Sequence, residues 1–599
     1  MAGVLARADV PEAGRWNAES VFASPNDWDR TYAEVETALE EAPGYAGTLT
    51  TPDALVAWYA YSEAIFAKLG KLRVYAGMAY NTDSLNADAS ARQERISGLA
   101  ARASAAFAFA KPELLALGPD TLQTWAQSDE RLAPYAHSYE RLANSAPHVR
   151  SAEVEELLGA LAGPFYTAVS AHGVLANTDL PFPNAVGADG EEHAITQGTI
   201  GTLLSSPERT LRRSAYETYA DAHLSVKNTV ATVLSAGIKQ NVFLARARNY
   251  PSALHAALEP QNLPLSVFHS LIDTFKANLP TWHRYWRAKR KLLGLDAFHP
   301  YDVAAAMSQK PPVISFEQSV DWLSEALAPL GEDYVTTMRR GALEERWVDR
   351  SVNQGKRMGA FSSGVQGTHP FIMMSYSEDV FGMSTLAHEL GHSLHSHYTF
   401  THQPWVYTRY SMFVAEVASN FNQAMLRAYL FEQQPGRDVQ IALLEEAFAN
   451  FYRYFFIMPT LARFELEIHE RSARGEALSA EKLTELMSSL FAEGYGDAVV
   501  MDTERVGITW AQFHTHLYSR FYVYQYATGI SGAHTLARGI LDGNEGAAER
   551  YLDFLKAGAS SYPLDTLKTA GADLSGSEAV ETTFGVLDDL VTRLEDLAE

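Results

Sequence analysis

Cysteine is absent from the 599-residue chain, and this one absence removes several kinds of chemistry. Without thiols there are no disulfides, no iron–sulfur clusters, no thiolate zinc sites and no cysteine nucleophile. Long apolar runs are absent as well: the N-terminal sequence lacks the apolar core of a signal peptide, and no stretch approaches the ~20 apolar residues of a membrane span. We therefore expect a cytoplasmic protein that does not use a membrane.

Basic residues are scarce relative to acidic ones. The chain has 48 Lys and Arg against 72 Asp and Glu, which gives a formal net charge of −24. Such a charge repels phosphate and argues against a nucleic-acid partner. With 47% hydrophobic and 20% charged residues, the composition is that of an ordinary soluble globular protein. A chain of this length can enclose a large core without disulfides or a structural metal.

The spacing of apolar residues is helical over most of the chain. Residues 53–110 are rich in good helix formers, and Ser206–Pro207–Glu208 has the features of a helix start, with a capping residue, a proline and an early acid. That helical stretch runs to about Asn249, and another begins near residue 265. The sequence therefore predicts a mainly α fold.

Two stretches depart from the helical pattern. Residues 175–203 carry turn residues and predict a loop or hairpin. Residues 352–377 are rich in Gly and Ser and contain a short strand-like run, Phe371–Tyr376. The chain shows no internal repeat and no clear linker. We divide it near residue 200, into an N-terminal helical region, 1–199, and a larger region, 200–599.

A histidine-rich segment, LAHELGHSLHSH at residues 386–397, contains the pattern H-E-x-x-H at His388, Glu389 and His392. On a helix, positions i and i+4 share one face, so both imidazoles can bind one zinc ion while the glutamate reaches a bound water. Leu386, Leu390 and Leu394 would form the packed face opposite. Gly391 inside the helix indicates a close approach to the backbone. The alternative is a core helix with hydrogen-bonded histidines.

A catalytic zinc also needs a third protein ligand. The H-E-x-x-H-x-x-G-x-x-H arrangement fails, because His395 and Tyr398 occupy its last two fixed positions. Glu416 lies in a helix that is apolar nearly all round, where a carboxylate is costly unless it is paired or bound to a metal. Glu432, the other downstream candidate, lies at a helix end where solvent can carry its charge. We predict Glu416 as the third ligand, with a structural salt bridge to an arginine as the alternative.

A concentration of hydrogen-bond donors occurs at residues 510–526. Peptide hydrolysis builds negative charge on the carbonyl oxygen, and tyrosine and histidine side chains can meet that charge. Tyr518, Tyr522 and Tyr526 would share one face of a helix at spacings of four residues. His514 and His516 lie in the same segment. The alternative is a tyrosine-rich core helix without a catalytic role.

Several ordered motifs together resemble the oligoendopeptidase F family, within the thimet-type zinc metallopeptidases. The resemblance extends over nearly the whole chain and is carried by GAFSSGVQGTHPFIMMSY (359–376), TLAHELGHSLHSH (385–397), FVAEVASNFN (413–422), FYVYQYATGIS (521–531) and SYPLDTLKTAGADL (561–574). It implies a mainly α, clam-like shell around a deep substrate channel, with a small β-element beside the zinc helix. It also implies cleavage within short peptides, because such a channel excludes folded proteins.

The resemblance assigns roles position by position. His388, His392 and Glu416 match the ligands of one zinc ion per chain, Glu389 matches the catalytic acid/base, and His516 matches a histidine that stabilises the tetrahedral intermediate. The family commonly has His-Phe-Tyr where this chain has His-Leu-Tyr from residue 516. The participating tyrosine is not fixed by spacing: Tyr526 is favoured, then Tyr522, with Tyr524 behind.

The sequence thus predicts a zinc-dependent endopeptidase that hydrolyses internal bonds of short oligopeptides by metal-activated water. The Phe371–Tyr376 run would hold an extended peptide by strand addition. Two alternatives stay open: a metallocarboxypeptidase or dipeptidase on the same scaffold, and a non-catalytic peptide-binding protein. The intact Glu389 argues against the last, since a purely structural metal site needs no base.

Overall fold

The computed structural model describes residues 4–599, so the first three residues of the predicted N-terminal region lie outside it. About 70% of the structure is helical. The helices are α1 Pro25–Leu39, α2 Pro52–Thr82, α3 Ala87–Ala106, α4 Ala110–Leu117, α5 Pro119–Ser128, α6 Ala136–Ser145, α7 Ala152–Ala160, α8 Ala162–Val174, α9 Ile200–Leu204, α10 Arg209–Ser225, α11 Lys227–Ala247, α12 Ala253–Leu258, α13 Leu265–Ala277, α14 Leu279–Leu292, α15 Phe316–Ala326, α16 Glu332–Leu343, α17 Val380–His402, α18 Met412–Glu432, α19 Arg437–Tyr452, α20 Met458–Ala473, α21 Ala480–Tyr495, α22 Thr503–Gly507, α23 Tyr524–Leu541, α24 Ala547–Ala557, α25 Pro563–Ala570 and α26 Glu578–Ala598.

The strands are few and short. They are β1 Ala185–Val186, β2 Glu192–His193, β3 Val348–Asp349, β4 Phe361–Ser363 and β5 Phe371–Met373. β1 and β2 form an antiparallel hairpin within the predicted loop region. The other three form a sheet in the order β3-β5-β4, with β5 parallel to β3 and antiparallel to β4. The prediction of a mainly α fold is confirmed.

The chain folds into two compact units, each made of three separate segments. The first contains the residues up to Ala146, Val313–Gln433 and Leu536–Gly571. The second contains Pro147–Pro312, Gln434–Thr535 and Ala572–Glu599. These units are not the two regions divided near residue 200, and that division stays a prediction. So does the clam-like enclosure of a channel.

The first unit has an aromatic core built by its N-terminal helices. Trp28 of α1 is fully buried, and its indole N–H donates to the carbonyl of Leu72 in α2 at 3.1 Å. In its central segment α17 packs along α18, and both β4 and β5 contact α17. The Oγ atoms of Ser362 in β4 and Ser393 in α17 lie 2.8 Å apart. The predicted small β-element beside the histidine helix is therefore present.

The second unit is helical apart from its hairpin. α11 packs on α8 and α20, and α14 packs on α26 at the C-terminus. The predicted helix start at Ser206 is wrong: α10 begins at Arg209, and no side chain caps it. The carboxylate of Glu208 is engaged elsewhere, because it accepts from the backbone N–H of Ala188 in the hairpin at 2.7 Å. The acid of the predicted start signal therefore bonds to the hairpin and not to the helix N-terminus.

The described part of the chain contains no helix that is both long enough and apolar enough to cross a membrane.

Candidate metal centre

The histidine-rich segment lies on one long helix, α17. Its start is capped by Asp379, whose side chain accepts from the backbone N–H of Gly382 at 2.8 Å. Leu386, Leu390 and Leu394 are all fully buried, as the helical period predicts. The rings of His388 and His392 lie on one side of the helix, with their centroids 4.8 Å apart.

Gly391 explains how the partner helix comes so close. A Cβ atom at this position would lie 2.4 Å from the carbonyl oxygen of Ala418 and 2.7 Å from the Cα of Ser419. Both are backbone atoms of α18, which cannot move aside like a flexible side chain. Only glycine therefore allows α17 and α18 to pack at this distance, and the close approach inferred from the sequence is present.

This packing brings three ligand-type side chains together. Nitrogen atoms of His388 and His392 and a carboxylate oxygen of Glu416 all lie within 4.8 Å of one another. His388 Nε2 and Glu416 Oε2 are 3.6 Å apart. Glu416 is only 7% exposed, and Ser419 Oγ donates to its Oε2 at 3.3 Å. Two imidazoles and one carboxylate are a donor set that suits zinc, so the residues fit the predicted metal.

Neighbouring groups orient both imidazoles. His388 Nδ1 lies 3.1 Å from Oε1 of Gln423, and the Gln423 amide donates to Ser384 Oγ at 2.7 Å. A ring N–H of His392 donates to the backbone carbonyl of Ala415. Burial lowers the pKa of His392 well below its usual range, and the neighbouring His388 lowers it further. A neutral imidazole with one nitrogen held as a donor presents the other as a metal ligand.

Glu389 lies beside these ligands without a complete set of partners. It is 5% exposed; one carboxylate oxygen accepts from the backbone N–H of Ser362 in β4, and Oε2 has no partner among the described residues. Burial raises the pKa of Glu389 to about 7, with His388 opposing this and Glu416 adding to it. A buried carboxyl group with an unsatisfied oxygen is suited to exchange a proton with a bound water.

The two remaining histidines of α17 lie apart from this group. The His395 ring stacks on Tyr410 at 3.7 Å and also contacts Phe554. His397 lies near Trp347, with ring centroids 5.8 Å apart. Both pack against aromatic side chains, which is a structural arrangement.

The predicted transition-state residues belong to the second unit, and the structure brings them together there. The hydroxyls of Tyr522 and Tyr526 are 2.6 Å apart, so one donates to the other. The His516 ring lies 6.1 Å from that of Tyr522 and 6.3 Å from that of Tyr526. Burial lowers the pKa of His516 to about 4, and Arg453 and His514 lower it further, so the imidazole is neutral at pH 7.

The predicted helical face of three tyrosines is wrong. His516–Tyr518 is a single 3₁₀ turn, Phe521 has φ 47°, and α23 begins only at Tyr524. Tyr518 consequently points elsewhere, with its hydroxyl 3.1 Å from Nδ1 of His172. Because His172 Nε2 donates to the carbonyl of Ala511 at 3.0 Å, its Nδ1 accepts the hydrogen of Tyr518.

The sequence matches known families along most of its length. A model described as "Peptidase family M3" matches residues 202–586, and one described as "Oligopeptidase F" matches residues 113–182. The chain belongs to peptidase family M3. The predicted resemblance to oligoendopeptidase F is therefore confirmed, and this M3 peptidase is an enzyme of a metallopeptidase family. Its metal-binding residues stay predictions.

Named relatives agree with the family. The M3 peptidase is 36% identical to the Bacillus subtilis protein named Oligopeptidase PepF, over 99% of this chain and 88% of the relative. It is 34% identical to Group B oligopeptidase PepB of Streptococcus agalactiae, over 99% of this chain and 98% of the relative.

A solved structure supports the fold. The crystal structure of oligoendopeptidase-F from Enterococcus faecium superposes with a TM-score of 0.75 at 29% identity, covering 96% of this chain and 99% of that chain.

Sequence reasoning missed the residues that orient the site of this M3 peptidase. Gln423 lies on the same helix as Glu416, and its residue type alone gives no partner for it. Ser362 contacts Glu389 through its backbone N–H, and such a contact cannot be predicted from the type of residue. His172 lies far along the chain from Tyr518, so no local pattern could have paired them.

Proposed function

We propose that this M3 peptidase is a zinc-dependent endopeptidase that hydrolyses internal bonds of short oligopeptides. The observation that carries the proposal is the group formed by His388, His392 and Glu416 beside the buried Oε2 of Glu389. When bound there, zinc would supply Lewis-acid chemistry, which polarises a scissile carbonyl and lowers the pKa of water. The names of the relatives support oligopeptides as the substrate class.

Glu389 acts as the acid/base. It accepts the proton of the attacking water on its carboxylate and then donates that proton to the leaving amine. The Ser362 N–H fixes one of its oxygens, so the other is directed to the reacting groups. Gln423 and the Ala415 carbonyl hold the two imidazoles in fixed orientations.

Negative charge on the carbonyl oxygen is met by O–H and N–H donors. We assign this role to His516, as a neutral imidazole, and to Tyr522 and Tyr526 acting as a pair. A hydrogen bond between the two hydroxyls polarises the accepting one, which strengthens its own O–H as a donor. On this proposal both tyrosines take part, so neither has to be chosen over the other.

The predicted role of Phe371–Tyr376 in strand addition needs correction. β5 lies between β3 and β4, so both sides of Phe371–Met373 are occupied. Beyond β5, the N–H groups of Met374 and Tyr376 donate to the carbonyls of Asp349 at the end of β3 and of Arg350 just after it. β4 forms the edge of the sheet nearest Glu389, to which Ser362 donates. An extended peptide would therefore align along β4.

The test compares Glu389→Gln with Glu432→Gln, a matched control at the exposed end of α18. Glu389→Gln should bind one equivalent of zinc, measured by elemental analysis, and lose cleavage of an internally quenched, end-blocked peptide by a factor of about 10² or more. Glu432→Gln should keep both properties. Full activity in Glu389→Gln would refute the assignment, and refusal of end-blocked peptides by the unmodified enzyme would favour an exopeptidase.

The third ligand is tested in the same series. Glu416→Gln should lose zinc, because a neutral amide replaces the only anionic ligand, whereas Glu432→Gln should not. Zinc retained at one equivalent in Glu416→Gln would remove Glu416 from the metal site.

A further inference from the structure

Glu465 is a buried acid that the proposed reaction does not use. It lies on α20 in the second unit and is fully buried. Its Oε1 accepts from the backbone N–H of Phe521 at 2.6 Å, and its Oε2 has no partner within residues 4–599. A buried carboxyl group is costly, so one directed at a backbone N–H needs a reason.

The backbone at Phe521 is in an unfavourable conformation. Its φ of 47° lies in the left-handed region, which bulky residues rarely adopt. The side chain is 1% exposed and packs against Phe268 and His469, with ring centroids 5.7 and 4.9 Å away. Such a conformation persists only where the surroundings hold it. Here the ring contacts hold the side chain and Glu465 holds the N–H.

Phe521 also connects the two groups proposed to donate to the carbonyl oxygen, His516 and the Tyr522–Tyr526 pair. The 3₁₀ turn of His516 precedes it, and Tyr522 and α23 follow it. The Tyr522 N–H donates back to the carbonyl of Ser519 at 3.0 Å, which closes the turn around Phe521. A change of φ at Phe521 would therefore move the tyrosine pair relative to His516.

The surroundings favour a neutral Glu465. Burial raises its pKa to about 8, opposed by the Phe521 N–H and by the charge of Arg520. The Arg520 guanidinium is itself engaged with the carbonyl of Ala256 at 2.7 Å. His469 on the same helix donates from Nδ1 to the Glu465 carbonyl at 2.8 Å, and burial lowers the pKa of His469 to about 4. A neutral carboxyl group has a close isostere in the glutamine amide.

We propose that Glu465 is a positioning residue, whose carboxyl oxygen holds the left-handed turn at Phe521 and thereby places the Tyr522–Tyr526 pair against His516. The inference rests on the proposed function for its catalytic consequence. Its structural part, the link between Glu465 and the turn, does not depend on that function.

Three variants test the proposal in the full-length, zinc-loaded enzyme. Glu465→Gln keeps an acceptor oxygen. Glu465→Leu keeps the size and removes the acceptor. Ile468→Val removes one methylene from the buried face of the same helix and controls for general destabilisation. Each is measured for kcat and KM on a quenched peptide, for zinc content, for Tm, and for amide hydrogen exchange in the peptide spanning residues 518–524.

Glu465→Leu should lower kcat by about 10- to 100-fold with little change in KM or zinc content, because misplaced donors act on the transition state more than on substrate binding. It should also speed exchange in residues 518–524. Glu465→Gln should restore kcat and slow exchange to the unmodified values. Ile468→Val should lower Tm without the loss of kcat.

Two results would overturn the inference: unchanged kcat and exchange in Glu465→Leu, or a loss in Glu465→Gln as large as that in Glu465→Leu. Failure of the proposed function is distinguishable, because it would appear as full activity in Glu389→Gln. Faster exchange in Glu465→Leu, reversed in Glu465→Gln, would still support the structural link.

Discussion

Replacing Gly391 by alanine should push apart the two helices that carry the proposed metal ligands. The added Cβ would meet the Ala418 carbonyl oxygen at 2.4 Å, whereas ordinary contact begins at 3.4 Å. The helices must therefore separate by about 1 Å at this point, because the opposing atoms are backbone. His388 and His392 lie on one side of the widened gap and Glu416 lies on the other.

The magnitude follows from two opposing terms. Alanine is favoured over glycine in a helix interior by about 1 kcal/mol, while overpacking costs about 1–3 kcal/mol. Without metal we expect a loss of up to about 2 kcal/mol in the free energy of unfolding. Zinc affinity should fall by about tenfold or more, the scale seen when groups that position metal ligands are disturbed.

The assay is a competitive zinc titration together with Tm measured with and without zinc. Gly98→Ala is the matched control, because Gly98 lies within α3 of the same unit and a Cβ there meets nothing within 4 Å. That variant should gain about 0.5–1 kcal/mol and keep its zinc affinity. If Gly391→Ala also kept its zinc affinity and gained stability, the backbone contact would not control the spacing of the ligands.

Two further predictions concern single hydrogen bonds. Gln423→Leu should weaken zinc binding by about 10- to 100-fold, because His388 loses the group that orients it; unchanged affinity would contradict this. It should also lower the Tm of the metal-free protein, because Ser384 loses its buried donor. The pKa of His172 is lowered to about 4 by burial, below the ~6.5 of an exposed histidine, so its contribution to stability is present above pH 6.5 and is lost as the pH falls toward 4. At pH 5 the stability lost in this way is about 2 kcal/mol. His172→Gln should therefore show a smaller fall in Tm between pH 7 and pH 5 than the unmodified protein. An unchanged pH dependence would show that His172 is not the titrating group.

The sequence predicted features that depend on local spacing or on burial. The spacing of one helical turn predicted that His388, Glu389 and His392 lie together. The cost of a carboxylate in an apolar helix selected Glu416 as the third ligand. Gly391 was correctly interpreted as a close approach, although its partner could not be named.

Features set by contacts between distant segments were not predictable. The helical period placed Tyr518 with Tyr522, but the left-handed Phe521 interrupts the helix, and its partner Glu465 is 56 positions away in the chain. The Phe371–Tyr376 run was expected to pair with a peptide, but β5 lies at the centre of its sheet, because strand order depends on pairing across the fold. The helix predicted to start at Ser206 begins at Arg209, and the Glu208 carboxylate bonds to the distant hairpin.

The division of each unit into three segments has a consequence for synthesis and for fragments. The last segment of the first unit, Leu536–Gly571, is made long after α17 and α18, and the second unit has its own last segment, Ala572–Glu599, after that. During synthesis α17 therefore leaves the ribosome before α24, the helix it packs against, has been made. No single cut in the chain separates the two units. A fragment made by truncation therefore lacks one of the segments of at least one unit.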